Sequence, residues 1–281
     1  MIGMPDFSPQ PAWNAASRLA YLQAGEHGPP LLFLHGWAAF KELWWNTLRR
    51  TASAYRCFAV DLPGHGGSPL DGPPSISRIA RRMLSFCDDL DLQQVGLVGH
   101  SMGGSIATVM ALQQPACIER LVLVDPAIDA FRLPRYIRLY LFKTYGWAIL
   151  RLNLALARHL QPLTSHIPHE HHGGWLLPWL RRSGYAADLR PADLHALLSA
   201  LMQARIGPRL ARLTMPTLVI SGQFDGLVPA AHTAAVARAI PGAQYQLVRW
   251  TLHNPMDERP RQFERVLMAF LGKQASSQDG A

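Results

Sequence analysis

Val95-Gly96-Leu97-Val98-Gly99-His100-Ser101-Met102-Gly103-Gly104 decides how the rest of this chain reads. An apolar run, Val95 to Val98, leads into a turn made of Gly99, His100, Ser101, Met102 and Gly103. A helix-compatible run, Met102 to Leu112, leads out of it. A serine in an ordinary loop is a poor nucleophile. A strand–turn–helix setting pushes its hydroxyl above the sheet edge, and the helix behind aims free N–H groups at negative charge forming nearby. Gly99 and Gly103 carry no Cβ, so strand and helix can approach closely and the backbone can take a strained conformation.

Working outward, short apolar runs recur with helical stretches between them. Arg18–Ala24, Leu31–His35, Tyr55–Asp61, Val95–Gly99, Leu121–Asp125, Thr217–Ser221 and Gln244–Val248 read as strands. Ser75–Leu90, Met102–Leu112, Ala230–Ala239 and Glu258–Leu271 have helical spacing. That alternation predicts a parallel sheet covered on both faces. It breaks once, between Asp125 and Met215. There the sequence looks helical over Arg135–Tyr145, Trp147–Leu160, Trp175–Ser183 and Pro191–Ala204. Loops at the carboxyl ends of parallel strands carry function, so this segment reads as a cap over a site.

Charge separates the same two regions. From Pro126 to Leu213 there are twelve Lys and Arg against four acids; elsewhere fifteen bases balance fifteen acids. The whole formal excess of +8 therefore falls in the expected cap. Phe131 to Leu160 interleaves aromatics (Phe131, Tyr136, Tyr140, Phe142, Tyr145, Trp147) with Arg132, Arg135, Arg138, Lys143, Arg151 and Arg158. Two readings stay open: a surface for anionic lipid, or an ordinary amphipathic cap with its arginines in water. No nucleic-acid motif accompanies the charge, so nucleic acid is not an expected partner.

Two residues downstream complete the chemistry that Ser101 begins. Asp225 lies in Ser221-Gly222-Gln223-Phe224-Asp225-Gly226, at the carboxyl end of one strand. His253 follows the last strand, in Trp250-Thr251-Leu252-His253-Asn254-Pro255. A histidine titrates near neutrality, so it can take a serine proton and return it to a leaving group. A carboxylate fixes its tautomer. Asp125, which reads as a turn starter before Pro126, is the rival acid; His35, His65 and His100 precede the last strand and are weaker bases for the role. An oxyanion needs two donors. The backbone N–H groups of Met102 and of Trp37, in His35-Gly36-Trp37, are the candidates.

With His35-Gly36-Trp37, Asp61-Leu62-Pro63-Gly64-His65-Gly66, Gly99-His100-Ser101-Met102-Gly103-Gly104, Asp225 and His253 in place, the chain resembles the α/β-hydrolase superfamily, in its capped serine esterase/lipase-like branch. The resemblance implies a mostly parallel, doubly wound sheet with a helical cap inserted after the sixth strand. The implied boundaries are a core of residues 1–126 and 214–281 and a cap of residues 127–213. It also implies hydrolysis of a hydrophobic carboxylic ester with no metal or organic cofactor. Two rivals share the fold: a carbon–carbon bond hydrolase acting on an anionic diketone, and an accessory or receptor protein without turnover. Serine at position 101 disfavours epoxide hydrolase and dehalogenase chemistry, which would place aspartate there. The loop Asp61–Ser68 reads as a tight structural turn.

Composition bounds the remainder. Hydrophobic residues at 49% and charged residues at 16% describe a well-cored chain. Cys57, Cys87 and Cys117 lack metal spacing and fit reduced thiols in a cytoplasmic protein, peripheral to the membrane on the lipid reading. Met1–Trp13 does not read as a secretory signal, and no stretch reaches the roughly 18 apolar residues of a membrane span. His166, His169, His171 and His172 read as part of a solvent-exposed loop rather than a metal site. The tail from Gln274 is small and polar and is expected to fray.

Overall fold

A computed structural model describes residues 7–142, 145–164, 166–167 and 176–272. Eight strands form one sheet: β1 (Gln10–Asn14), β2 (Leu19–Ala24), β3 (Pro30–Leu34), β4 (Arg56–Val60), β5 (Val95–His100), β6 (Ile118–Val124), β7 (Thr217–Gly222) and β8 (Gln244–Val248). Their spatial order is β1-β2-β4-β3-β5-β6-β7-β8. The β1–β2 and β2–β4 pairs are antiparallel and the other five pairs are parallel.

Side-chain alternation divides the core in two. Leu32, Leu34, Leu97, Leu121, Leu123 and Val219 point to one face. There they meet α2 (Ile76–Asp89), α3 (Met102–Gln113) and α7 (Ala230–Ala239). Leu31, Phe33, Val98, Val122, Val124, Leu218 and Ile220 point to the other. There they meet α1 (Trp45–Thr51) and α9 (Pro260–Leu271). A sheet covered on both faces needs strands apolar at every position, and β3, β5 and β7 are buried from end to end. Fully burying a side chain such as Phe33, Leu48 or Phe263 contributes about 1.5–3 kcal/mol each. Local signals set the helix starts: the Ser75 hydroxyl accepts the Arg78 N–H at 3.1 Å and caps α2.

Two features differ from the sequence reading. β1 is an edge strand that carries Pro11 and is mostly exposed, so it lacks the apolar signature of the other strands. The run after Pro134 forms 3-10 turns over Arg135–Leu141 rather than an α-helix, and none of its residues is fully buried. Only the part-buried Ile137, Tyr140 and Leu141 pack against the core, which gives a short helix little to hold it.

No strand occurs among the described residues between β6 and β7. They hold α4 (Tyr145–Thr164), α5 (Leu176–Tyr185) and α6 (Pro191–Gln203). The two ends of this insertion are clipped together: Asp129 Oδ1 accepts the N–H groups of Ile206 at 2.7 Å and Gly207 at 3.0 Å. The Arg205 guanidinium sits 3.9 Å above the Phe131 ring at the same stem. A last short helix, α8 (Pro255–Glu258), precedes α9. His169, Glu170, His171, His172 and the tail from Gln274 lie outside the described residues; His166 is exposed.

Candidate active site

The sheet reverses its winding at β3, which pairs β4 on one side and β5 on the other. A crevice at the carboxyl ends of two such strands is where open α/β sheets bind ligands. Ser101 follows β5 and Gly36 follows β3. The two loops touch: a Cβ on Gly36 would lie 3.0 Å from the Ser101 Cβ.

Ser101 itself takes the strained backbone, with φ 54° and ψ −116°. A non-glycine residue held there costs about 1–3 kcal/mol, so its surroundings must over-determine it. They do. Ser101 donates its N–H to Val124 O at 2.9 Å and accepts at its own carbonyl from Gly104 N at 3.0 Å and Ala127 N at 3.0 Å. The flanking glycines serve close approach, not unusual φ. A Cβ on Gly103 would lie 2.4 Å from Leu34 O; one on Gly99 would lie 2.5 Å from Gly103 O. Met102 opens α3. Trp37 sits beside Gly36, and its indole Nε1–H donates to Leu194 O at 2.7 Å while its ring meets Tyr140. The Trp37 side chain thus ties the β3 loop to the insertion.

Two buried histidines shape that loop. His35 Nε2 accepts the Leu62 N–H at 3.0 Å, and His65 Nε2 accepts the Ala38 N–H at 3.1 Å. Burial pushes both well below the ordinary histidine range, His65 to about 4, so both are neutral acceptors at pH 7. Asp61 completes the tie by accepting from Lys41 N at 2.9 Å, Lys41 Nζ at 2.7 Å and Gly67 N at 3.1 Å. The Asp61–Ser68 turn therefore buttresses the Gly36–Lys41 segment.

On the other side of Ser101, His253 Nδ1–H donates to Asp225 Oδ2 at 2.6 Å. The second Asp225 oxygen accepts from Leu227 N at 2.8 Å and Val228 N at 2.9 Å, which fixes the carboxylate plane. Burial alone would raise the Asp225 carboxyl. The His253 hydrogen bond and charge, with the Val228 and Leu227 N–H donors, outweigh it and hold the group below its ordinary value. Glu258 anchors the histidine loop, accepting from Leu252 N at 2.6 Å and Asn254 N at 3.2 Å.

His100 is a participant that sequence reasoning placed only as a rival base. Its Nε2–H donates to His253 O at 2.7 Å, and the two rings lie 4.6 Å apart. Its Nδ1 would be 3.1 Å from a Cβ on Gly36. Burial and the neighbouring His253 push it to about 3, so it stays neutral. His100 therefore bridges the Gly36 loop and the His253 loop; its position beside Ser101 was the only sequence signal.

Asp125, the rival acid, is fully buried after β6, with φ 43°. Its Oδ1 accepts from Gly222 N at 2.9 Å and Ser221 Oγ at 3.2 Å. Asp125, Asp225 and His253 each bring a ligand-capable atom within 4.8 Å of the others. Two ionised carboxylates about 4 Å apart repel by about 4 kcal/mol at an effective dielectric of 20. Burial and the Asp225 charge push the Asp125 carboxyl well above the usual range. Since Asp225 Oδ2 is committed to His253 Nδ1, the set has the chemistry of an oriented imidazole rather than of three free metal ligands.

A family model for the alpha/beta hydrolase fold matches residues 29–260. The chain is 28% identical over 255 residues to a pimeloyl-[acyl-carrier protein] methyl ester esterase of Vibrio vulnificus, covering 89% of this chain and 97% of that one. It is 28% identical over 254 residues to an enzyme of the same name from Nitrosomonas europaea, covering 86% and 96%. Among solved structures, the enol-lactonase from Burkholderia xenovorans LB400 superposes with a TM-score of 0.75 at 22% identity, covering 94% of this chain and all of that one.

Proposed function

We propose that this chain, which belongs to the α/β-hydrolase fold family, hydrolyses carboxylic esters with a hydrophobic acyl or alcohol group through Ser101, His253 and Asp225. The observation that carries the reading is the 2.6 Å hydrogen bond from His253 Nδ1 to Asp225, beside a strained serine at the sheet's switch point. With Nδ1 protonated, His253 Nε2 is the free base. It takes the Ser101 proton as Oγ attacks the ester carbonyl. The N–H groups of Met102 and Trp37 receive the oxyanion. The alcohol leaves with the proton from His253, and water, activated by the same imidazole, cleaves the acyl-enzyme.

Residues 127–213 act as a cap in this reading. Arg181 and Arg182, at the inner side of α5, both pair with Asp257, just beyond His253. Their charge is thereby spent on joining the cap to the core, which favours a neutral ester over an anionic diketone. The relatives' names make methyl esters of acyl chains the first substrates to try. Short chromogenic esters of graded chain length, assayed on wild type and Ser101→Ala, test the reaction. Unchanged hydrolysis by the variant would remove Ser101 as nucleophile.

The same cap presents a surface for anionic lipid. On α4, Tyr145, Leu152, Leu156 and Leu163 are exposed, the first at 74%, and Arg151 and Arg158 lie exposed among them. Arg132, Arg135, Arg138, Arg190, Arg205 and Arg212 also face outward. Apolar contact plus positive charge is the footprint of interfacial binding. Among the described residues, no helix is long and apolar enough to cross a membrane. Cys57, Cys87 and Cys117 are free thiols, which fits the cytoplasmic face of such a surface. Sedimentation with anionic and neutral vesicles tests this; equal binding to both, or binding that ignores salt, would remove the electrostatic part.

A further inference from the structure

We infer that Asp125 is a neutral carboxylic acid that donates its proton in a hydrogen bond to Asp225, and so positions the carboxylate that orients His253. The inference rests on the roles given above to Asp225 and His253. Its geometry comes from sheet topology: β6 and β7 are adjacent and parallel, so the residues following them share one edge. Asp125 has no exposure to water. One of its oxygens is satisfied by Gly222 N–H and the Ser221 hydroxyl, both donors. Among the described residues the other, Oδ2, receives no donor. An ionised carboxylate would leave that oxygen bare beside a second anion. A protonated one turns the same oxygen into a donor; an Asp225 carboxylate oxygen lies within 4.8 Å of an Asp125 oxygen, and the two side chains are in hydrogen-bond contact.

The groups around the pair leave the proton there. From the β7 loop Asp125 meets Ser221, Gly222 and Asp225; from the loop after β8 it meets His253. Beyond them, His100 is neutral against His253, and the Tyr136 hydroxyl donates to Gly226 O beside Asp225. Asp225 is the strongest charge acting on Asp125, and its sign favours the neutral acid. The division matches a general pattern in which two nearby carboxyls are driven to opposite protonation states by their surroundings. Asp225, with three other donors, keeps the charge.

Asp125 is thus a positioning residue, and its removal has a signed consequence. Without the Asp125 donor, the Asp225 anion becomes more basic and holds imidazolium more tightly. The acid limb of kcat/KM then moves to higher pH. An ionised Asp125 would give the opposite sign, because removing a negative charge near His253 moves the limb to lower pH.

The experiment uses wild type, Asp125→Asn and Asp125→Ala with a short chromogenic ester. Asp125→Ala should lower kcat by about 10–100-fold, the factor matching a hydrogen bond to a charged group, with KM held and the acid limb raised. Asp125→Asn keeps both a donor toward Asp225 and an acceptor for Gly222, and should recover most of that loss with the limb near its wild-type position. Infrared difference spectra, wild type minus Asp125→Asn at pH 7–8, should show a protonated-carboxyl stretch that shifts in D2O. Glu264, pushed to about 7 by burial, contributes to both spectra and cancels. Absence of that band, or a limb shifted to lower pH in both variants, overturns the inference. The infrared arm does not depend on turnover, so an inactive wild-type enzyme would defeat the proposed reaction and leave the proton assignment standing.

Discussion

The sheet and the insertion spend similar residues in opposite ways. In β3, β5 and β7 every residue is buried, and helices close both faces. In α4 only Gly146, Leu150, Leu154, Ala157 and Thr164 are buried, while Leu152 and Leu163 stand 70% and 73% exposed beside arginines. The sheet therefore has one arrangement it can adopt, and it delivers Ser101, Asp125, Asp225 and His253 to one edge. The insertion packs Leu133, Leu197, Leu198 and Leu201 into the core on one side and is tied further by the Trp37–Leu194 hydrogen bond and the Arg181/Arg182–Asp257 pairs, while its own two ends are clipped by Asp129. The proposed chemistry lies in the closely packed half, and the proposed substrate choice and surface contact in the half with exposed apolar area.

Substitutions separate the halves in order of effect. At the sheet edge, Asp225→Asn should lower kcat by about 10⁴-fold with little change in KM, since the wrong imidazole tautomer would face Ser101. A loss under tenfold, read by steady-state kinetics, would mean that His253 has another orienting group. Under the elbow, Gly103→Ala places a methyl 2.4 Å from the Leu34 carbonyl and 2.5 Å from the His35 carbonyl, both backbone. A cost of about 1–3 kcal/mol is expected, or several degrees in Tm by calorimetry. An unshifted Tm would show that the helix and β3 are less closely held than their carbonyls imply.

Smaller effects follow. Glu264, on α9, is pushed up to about 7 by burial, which outweighs Arg50 and Arg261. A carboxyl raised in the folded state contributes stability that is complete below its unfolded value near 4.5 and is lost as pH rises through 7. Denaturant melts should therefore show wild type losing stability across that window and Glu264→Gln losing less; parallel curves would contradict the assignment. Smallest in stability is the insertion surface. Leu152→Ser with Leu156→Ser should change stability by less than about 0.5 kcal/mol. The same pair should weaken binding to anionic vesicles severalfold, and unchanged binding would move the lipid contact away from α4.

The difference between the halves also decides what could be read from sequence. Buried parallel strands announce themselves: the Leu31–His35 run lies within a residue of β3 and Thr217–Ser221 within a residue of β7. β6 begins earlier than its apolar run, at Ile118, because buried Arg120 satisfies itself on the carbonyls of Phe270 and Leu271, a tertiary contact invisible locally. β1 leaves no apolar signature, because an exposed edge strand has little buried side to show. At the site, chain order points to Ser101, Asp225 and His253, and the structure joins the last two by the His253 Nδ1–Asp225 hydrogen bond. The approach of Asp125 to Asp225 depends on β6 lying beside β7 across the whole insertion, and the His100–His253 hydrogen bond on a fold-back of 153 positions. Neither leaves a local pattern. In the insertion, amphipathic spacing points to the helices, but Arg135–Leu141 packs only through the part-buried Ile137, Tyr140 and Leu141, too few to make its period decisive.

The proposed acyl-enzyme between Ser101 and an ester is open to direct trapping. Rapid quench of the wild-type chain with a p-nitrophenyl ester, followed by peptide mass mapping, tests it most directly. The expected result is the acyl mass on the peptide containing Ser101, and neither adduct nor turnover in Ser101→Ala. Turnover at the wild-type rate by that variant, or the acyl group on another residue, would contradict it.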